Sequence, residues 1–133
     1  MKKGLLILIT LLCCISVSGC MNKNIEGSLE DIMTKVYASV SEDEKPMMLT
    51  NIEITEENVE SFLGTSDIEF EEALASESAT GSIAHSVILL RVKNGANVEV
   101  IEEKLEDSIN PRKWICVEAE EVEIDSRGNL ILI

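Results

Sequence analysis

Ile83-Ala84-His85-Ser86-Val87-Ile88-Leu89-Leu90-Arg91-Val92 carries four apolar residues in succession at its centre, Val87 to Leu90. Successive side chains of a strand point to opposite faces, so an uninterrupted apolar run describes a strand covered on both sides. Asn94-Gly95 is a turn signal and ends the strand.

The segments on either side follow from this strand. Upstream, Ile68, Phe70 and Ala73-Leu74-Ala75 suggest a second strand broken by acidic residues, and Ser76 to Ser82 reads as a small-residue turn. Downstream, Asn97 is placed to cap a helix whose Val98, Ile101, Leu105 and Ile109 recur on one face. Glu99, Glu102, Glu103, Glu106 and Asp107 fill the other face, and Asn110-Pro111 stops the helix. Ile115, Val117 and Ala119 alternate as a strand, but Val122 and Ile124 have the opposite parity. Continuous pairing would leave one set in water, so a β-bulge is expected near Glu120-Glu121. Asp125 to Gly128 reads as a turn and Asn129 to Ile133 as a last apolar strand. Cys116, between Ile115 and Val117, reads as a small buried hydrophobe.

Towards the N-terminus, Ser28 and Asp31 form a capping-box-like start. Leu29, Ile32, Met33, Val36, Tyr37 and Val40 then make one helical stripe, with Tyr37 as core, ending before Pro46. Met47 to Ile54 reads as a strand. Thr55 is placed to cap the next short helix, with Ile54 and Val59 as its hydrophobic staple, and Gly64 closes it. The expected domain is α+β over residues 28–133, with about three helices in the order α-β-α-β-β-α-β-β. Its sheet is mostly antiparallel, and the helices lie on one face.

The first twenty residues read differently. Lys2 and Lys3 precede an uncharged run from Leu5 to Val17, and Ser18-Gly19-Cys20 follows. A basic start, a short apolar segment and small residues describe a secretory signal, here 1–19, and the apolar run is too short for a transmembrane helix. Ser18-Gly19-Cys20 resembles the lipobox of bacterial lipoproteins. That resemblance implies a diacylglyceryl thioether on Cys20, cleavage before it, and a mature chain held to the outer face of the cell membrane. Residues 20–27 then read as a flexible tether spanning about 15 Å. With Cys13 and Cys14 in the signal and Cys20 lipidated, Cys116 has no partner for an internal disulfide.

The mature chain from Cys20 keeps nine basic residues against 25 acidic ones, a net charge of −16. That balance disfavours nucleic acid and anionic lipid headgroups as partners, and solubility is its plainest explanation. Gly-rich phosphate loops and nucleotide fingerprints are absent, so no cofactor is expected. Metal ligation is poorly supplied: the mature chain has one histidine, and Asp125-x-Arg127-Gly128-Asn129 places a cation where calcium needs oxygens. His85 could serve a hydrolase, but Ser86, its neighbour in a strand, points to the opposite face, and a hydrogen-bonded structural histidine is the simpler role. Arg112-Lys113-Trp114 gathers two basic residues beside the sole tryptophan. It reads either as a recognition spot or as a core tryptophan with cations near a helix C-terminus.

Ser82-Ile83-Ala84-His85-Ser86-Val87 and Asn110-Pro111-Arg112-Lys113-Trp114-Ile115 together resemble segments of an uncharacterised lipoprotein family of Gram-positive gut bacteria, classed only as a domain of unknown function. Glu72 to Glu77 and Asp125 to Leu130 extend the resemblance over nearly the whole mature chain. It implies an exported, lipid-anchored domain and no particular chemistry. The sequence therefore supports a membrane-anchored binding or interaction module, with a partner protein at the cell surface and Arg112, Lys113, Trp114 and His85 as binding candidates. The alternatives are a cell-envelope hydrolase using His85 or a carboxylate pair, and a weak divalent-cation binder.

Overall fold

The computed structural model describes residues 23–133; the predicted signal 1–19 and Cys20 lie outside the described residues. The first element among the described residues is helix α1, Leu29–Ala38. Ser28 Oγ accepts the Asp31 backbone N–H at 3.2 Å, which supplies one of the partners that a helix N-terminus lacks. Strand β1 (Leu49–Glu53), helix α2 (Val59–Leu63), strands β2 (Phe70–Ser78) and β3 (Ser86–Val92), helix α3 (Val98–Ser108) and strands β4 (Asp125–Arg127) and β5 (Leu130–Leu132) follow. The domain is α+β, and its elements come in the order the sequence predicts.

The five strands form one antiparallel sheet ordered β1-β2-β3-β5-β4. β3 lies in the middle. Its Ile88, Leu90 and Val92 join Leu63 of α2 and Leu105 of α3 in one buried cluster. Leu89 turns the other way, into a second cluster with Leu29 and Met33 of α1. The helices therefore cover both faces, α1 on one and α2 with α3 on the other, which corrects the one-sided arrangement. The physical reason lies in β3 itself: four successive apolar residues leave no face that water can take. β2 has the same two-faced character, with Ala73 and Ala75 in the first cluster and Leu74 in the second.

Further expectations are corrected. Ser76 to Ser78, read as the start of a turn, continue β2, and Asp125 to Arg127, also read as a turn, form β4. Thr55 does not cap α2 through its side chain. Its backbone N–H donates to Asn58 Oδ1 at 2.8 Å and its carbonyl accepts from Val59, so a turn precedes the helix. Residues 115–124 are not strands, and no bulge forms at Glu120-Glu121. Ile115 N–H donates to the Gly81 carbonyl and Ala119 N–H to that of Pro111, so these groups are satisfied by loops. The place beside β5 goes instead to β4, which reaches it through the two-residue turn Gly128-Asn129 with Gly128 at φ 61°. That hairpin closes over two residues and has little loop entropy to overcome. The one register shift of the β2–β3 ladder falls between Phe70 and Glu72, where acidic residues interrupt β2. Cys116 is exposed with φ 61°, because its loop runs over the surface.

The predicted tether also behaves differently where it is described. Arg91 donates to the carbonyls of Gly27 (2.8 Å) and Ile25 (3.3 Å) while it is ion-paired with Glu72. Ile25 packs on the α1-side cluster, and the backbone at Lys23 and Asn24 lies against Gly128. Lys23 to Gly27 is thus a strap laid on the domain.

Gly64 ends α2 at φ 73°, and a Cβ there would lie 1.8 Å from the Ser108 carbonyl oxygen at the end of α3. Gly64→Ala should therefore lower the urea midpoint by more than the ~1–2 kcal/mol equivalent of a left-handed alanine alone. Gly95→Ala (φ 83°, open space) should cost only about that much.

Candidate functional site

Glu77 of β2 and Ser86 of β3 are direct cross-strand partners, so their side chains share one face at the start of β3. Ser86 Oγ donates to Glu77 Oε1 at 2.7 Å. Lys113, from the loop after α3, is ion-paired with the same carboxylate oxygen and reaches Ser86 Oγ at 3.3 Å. Both charged side chains are largely buried, 15% exposed for Lys113 and 17% for Glu77. The Lys113 ammonium also lies 5.1 Å from the ring centroids of Phe62 and Trp114. A cation taken from water needs such compensation, and one carboxylate, one hydroxyl and two π faces provide it.

Beside this cluster opens a cleft of about 190 Å³, lined by Phe62, His85, Lys113, Trp114, Glu121 and Glu123 among others. Of the four residues singled out from the sequence, His85, Lys113 and Trp114 line it. Arg112 does not: it points outward and pairs with Glu118 in an exposed bridge. Trp114 is half-buried, and its Nε1 is buried with no acceptor among the described residues.

His85 Nε2 lies 2.8 Å from the hydroxyl of Tyr37 on α1, so the ring is hydrogen-bonded across the end of the sheet. Burial pushes its pKa below the ordinary histidine value, against a smaller upward pull from Glu77. Burial also pushes the Tyr37 phenol up. The Ser76 side chain pulls it the other way, although its hydroxyl makes no hydrogen bond of regular geometry. A neutral ring and a protonated phenol can share one hydrogen bond without either carrying charge.

Neither half of the cluster is arranged for nucleophilic chemistry. Ser82 is exposed and makes no hydrogen bond to His85, while the Ser86 hydroxyl is turned to Glu77. Lys113 lies within reach of Ser86, but its side chain is already ion-paired with Glu77. Among the described residues, no group of three or more His, Cys, Asp or Glu side chains is placed to hold a metal ion. An acidic hollow of about 590 Å³, lined by Glu53, Glu56, Glu69, Glu71 and Glu72, lies elsewhere on the sheet.

Sequence reading missed Phe62, Glu77 and Glu121. Lys113 and Glu77 are 36 positions apart, and nothing in either local pattern announces the pair. The Tyr37–His85 bond spans 48 positions and joins a residue assigned to the core with one assigned to a candidate site. Comparison of the chain with family models, curated proteins and solved structures finds no match.

His85 is the only histidine, so its titration can be seen in stability. A folded pKa below the unfolded ~6.5 means that the unfolded chain binds the proton first. Stability should therefore fall as pH drops through 6.5 towards the folded pKa. Urea melts between pH 7.5 and 5.5 should show that decline, and His85→Gln should flatten it. Tyr37→Phe should cost about 0.5–1.5 kcal/mol at pH 7.

Proposed function

We propose that this chain is a lipid-anchored extracytoplasmic binding module whose partner protein engages the Lys113–Trp114 cleft. The observation that carries the binding reading is the convergence of His85, Lys113 and Trp114 on one cleft, with Lys113 ion-paired to Glu77 and His85 hydrogen-bonded to Tyr37. At about 190 Å³ the cleft is smaller than the roughly 300–1,000 Å³ usual for small-molecule sites, and it suits an inserted side chain. Exposed Met47, Met48 and Ile115 gather nearby: Ile115 is tied to Gly81, and Met48 to Ala79 and Thr80. Clustered apolar side chains of this kind favour protein contact. Lys113 is neutralised by Glu77 and Arg112 by Glu118, which leaves Glu121 and Glu123 as the unpaired charges lining the cleft. The inserted side chain is therefore basic, with apolar neighbours.

The anchoring half of the reading rests on Ser18-Gly19-Cys20 and on the family resemblance. No helix among the described residues is long and apolar enough to cross a membrane.

Cys20→Ala should move the protein from the membrane fraction to the culture medium; retention in the membrane would contradict the anchor. A photo-crosslinking residue at Ile115 should capture a protein in intact cells where the same residue at Glu60 does not. The Glu121→Gln, Glu123→Gln double variant should weaken that capture roughly two- to tenfold, more at low salt than at high. Equal capture at both positions would sink the cleft as the interface.

A further inference from the structure

The strap at Lys23 to Gly27 has a consequence for how the domain stands on the bilayer. Its backbone is seated against Gly128 so closely that a Cβ there would meet Lys23 O at 2.7 Å and Asn24 Cα at 2.8 Å. Arg91 holds the carbonyls of Ile25 and Gly27. Cys20 is three residues before Lys23, a reach of at most about 10 Å. A lipid on Cys20 must therefore leave the domain beside the Gly128-Asn129 turn. That turn sits at the C-terminal end of β3, where the Asn129 carbonyl accepts the Val92 N–H.

The cleft lies at the other end of the same strand, beside Ser86. From Ser86 to Val92 is six residue steps, about 20 Å of extended chain. The charges reinforce the separation. At this end of β3, Arg91 pairs with Glu72 and Lys93 with Glu69, and Lys23 and Arg127 are exposed without an ion-pair partner among the described residues. Over the mature chain nine basic residues face 25 acidic ones. An anionic leaflet repels the acidic remainder and tolerates this pole.

We propose that the domain stands on the outer leaflet at the Gly128 turn, with Lys23 and Arg127 at the headgroups, and presents its cleft about 20 Å away, facing outward. This rests on the Cys20 reading above. At that height the cleft is more than two ~8 Å Debye lengths from the surface, so its occupant comes from the solvent side and is not a lipid of the host bilayer.

The test uses residues 20–133 with Cys116→Ser, coupled through the Cys20 thiol to a maleimide lipid in phosphatidylcholine–phosphatidylglycerol vesicles containing brominated lipid. Trp114, the sole tryptophan, should keep its emission. In a Trp114→Phe, Asn94→Trp variant the reporter beside the turn should be quenched several-fold more strongly. Gly128→Ala, or Ile25→Ser where that variant fails to fold, should release the strap and collapse the difference. Equal quenching at the two positions with the strap intact would overturn the orientation. Because the coupling is chemical, this result is independent of the cell's own modification. Mass spectrometry of the protein from cells tests that separately, and an unacylated Cys20 would overturn the anchor reading and the orientation in the cell with it.

Discussion

The burial of β3 on two faces is the constraint to which the rest of the structure conforms. Ile88, Leu90 and Val92 need cover on one side and Leu89 on the other. A small sheet of this kind cannot fold back on itself to provide both, so the chain lays α1 on one face and α2 with α3 on the other. Each cover in turn has its own requirement. α1 needs the Ser28 cap to begin, and α2 needs Gly64 to end so that it can pass close to α3.

How much of this is legible in the sequence depends on how local the governing interaction is. The caps at Ser28 and Asn97, the Gly64 stop and the apolar run of β3 are settled within a few residues, and the structure keeps them all. The region from 115 to 124 is different. Its alternation satisfies a strand pattern, yet its backbone bonds go to Gly81 and Pro111, because a two-residue hairpin has already filled the edge of β5. Competition between a local turn and a distant pairing leaves no mark on residue pattern. The same holds for the site: Lys113, Glu77 and Phe62 come from three separate elements, and only their meeting gives them a common role.

That meeting is also unequal in its effects. The Glu77–Lys113 pair is too buried to ignore and too well compensated to be reactive. It fixes the position of the loop after α3 and so holds Trp114 at the mouth of the cleft. Arg112, one residue earlier, makes only an exposed bridge to Glu118, which is worth little in water. Two neighbouring basic residues thus differ in kind: one organises a site and the other decorates a surface.

The sheet order carries a consequence for the time course of folding. β3 meets β2 across a short connection, but its other neighbour arrives late: Leu89 pairs with Leu132, 43 positions further on. Contacts of such separation form slowly, so the β1–β2–β3 meander can assemble while one side of the central strand is still open. An unpaired edge with this apolar content is a template for joining other chains. How cleanly this domain folds therefore depends on how quickly Leu130–Leu132 arrives to close that edge.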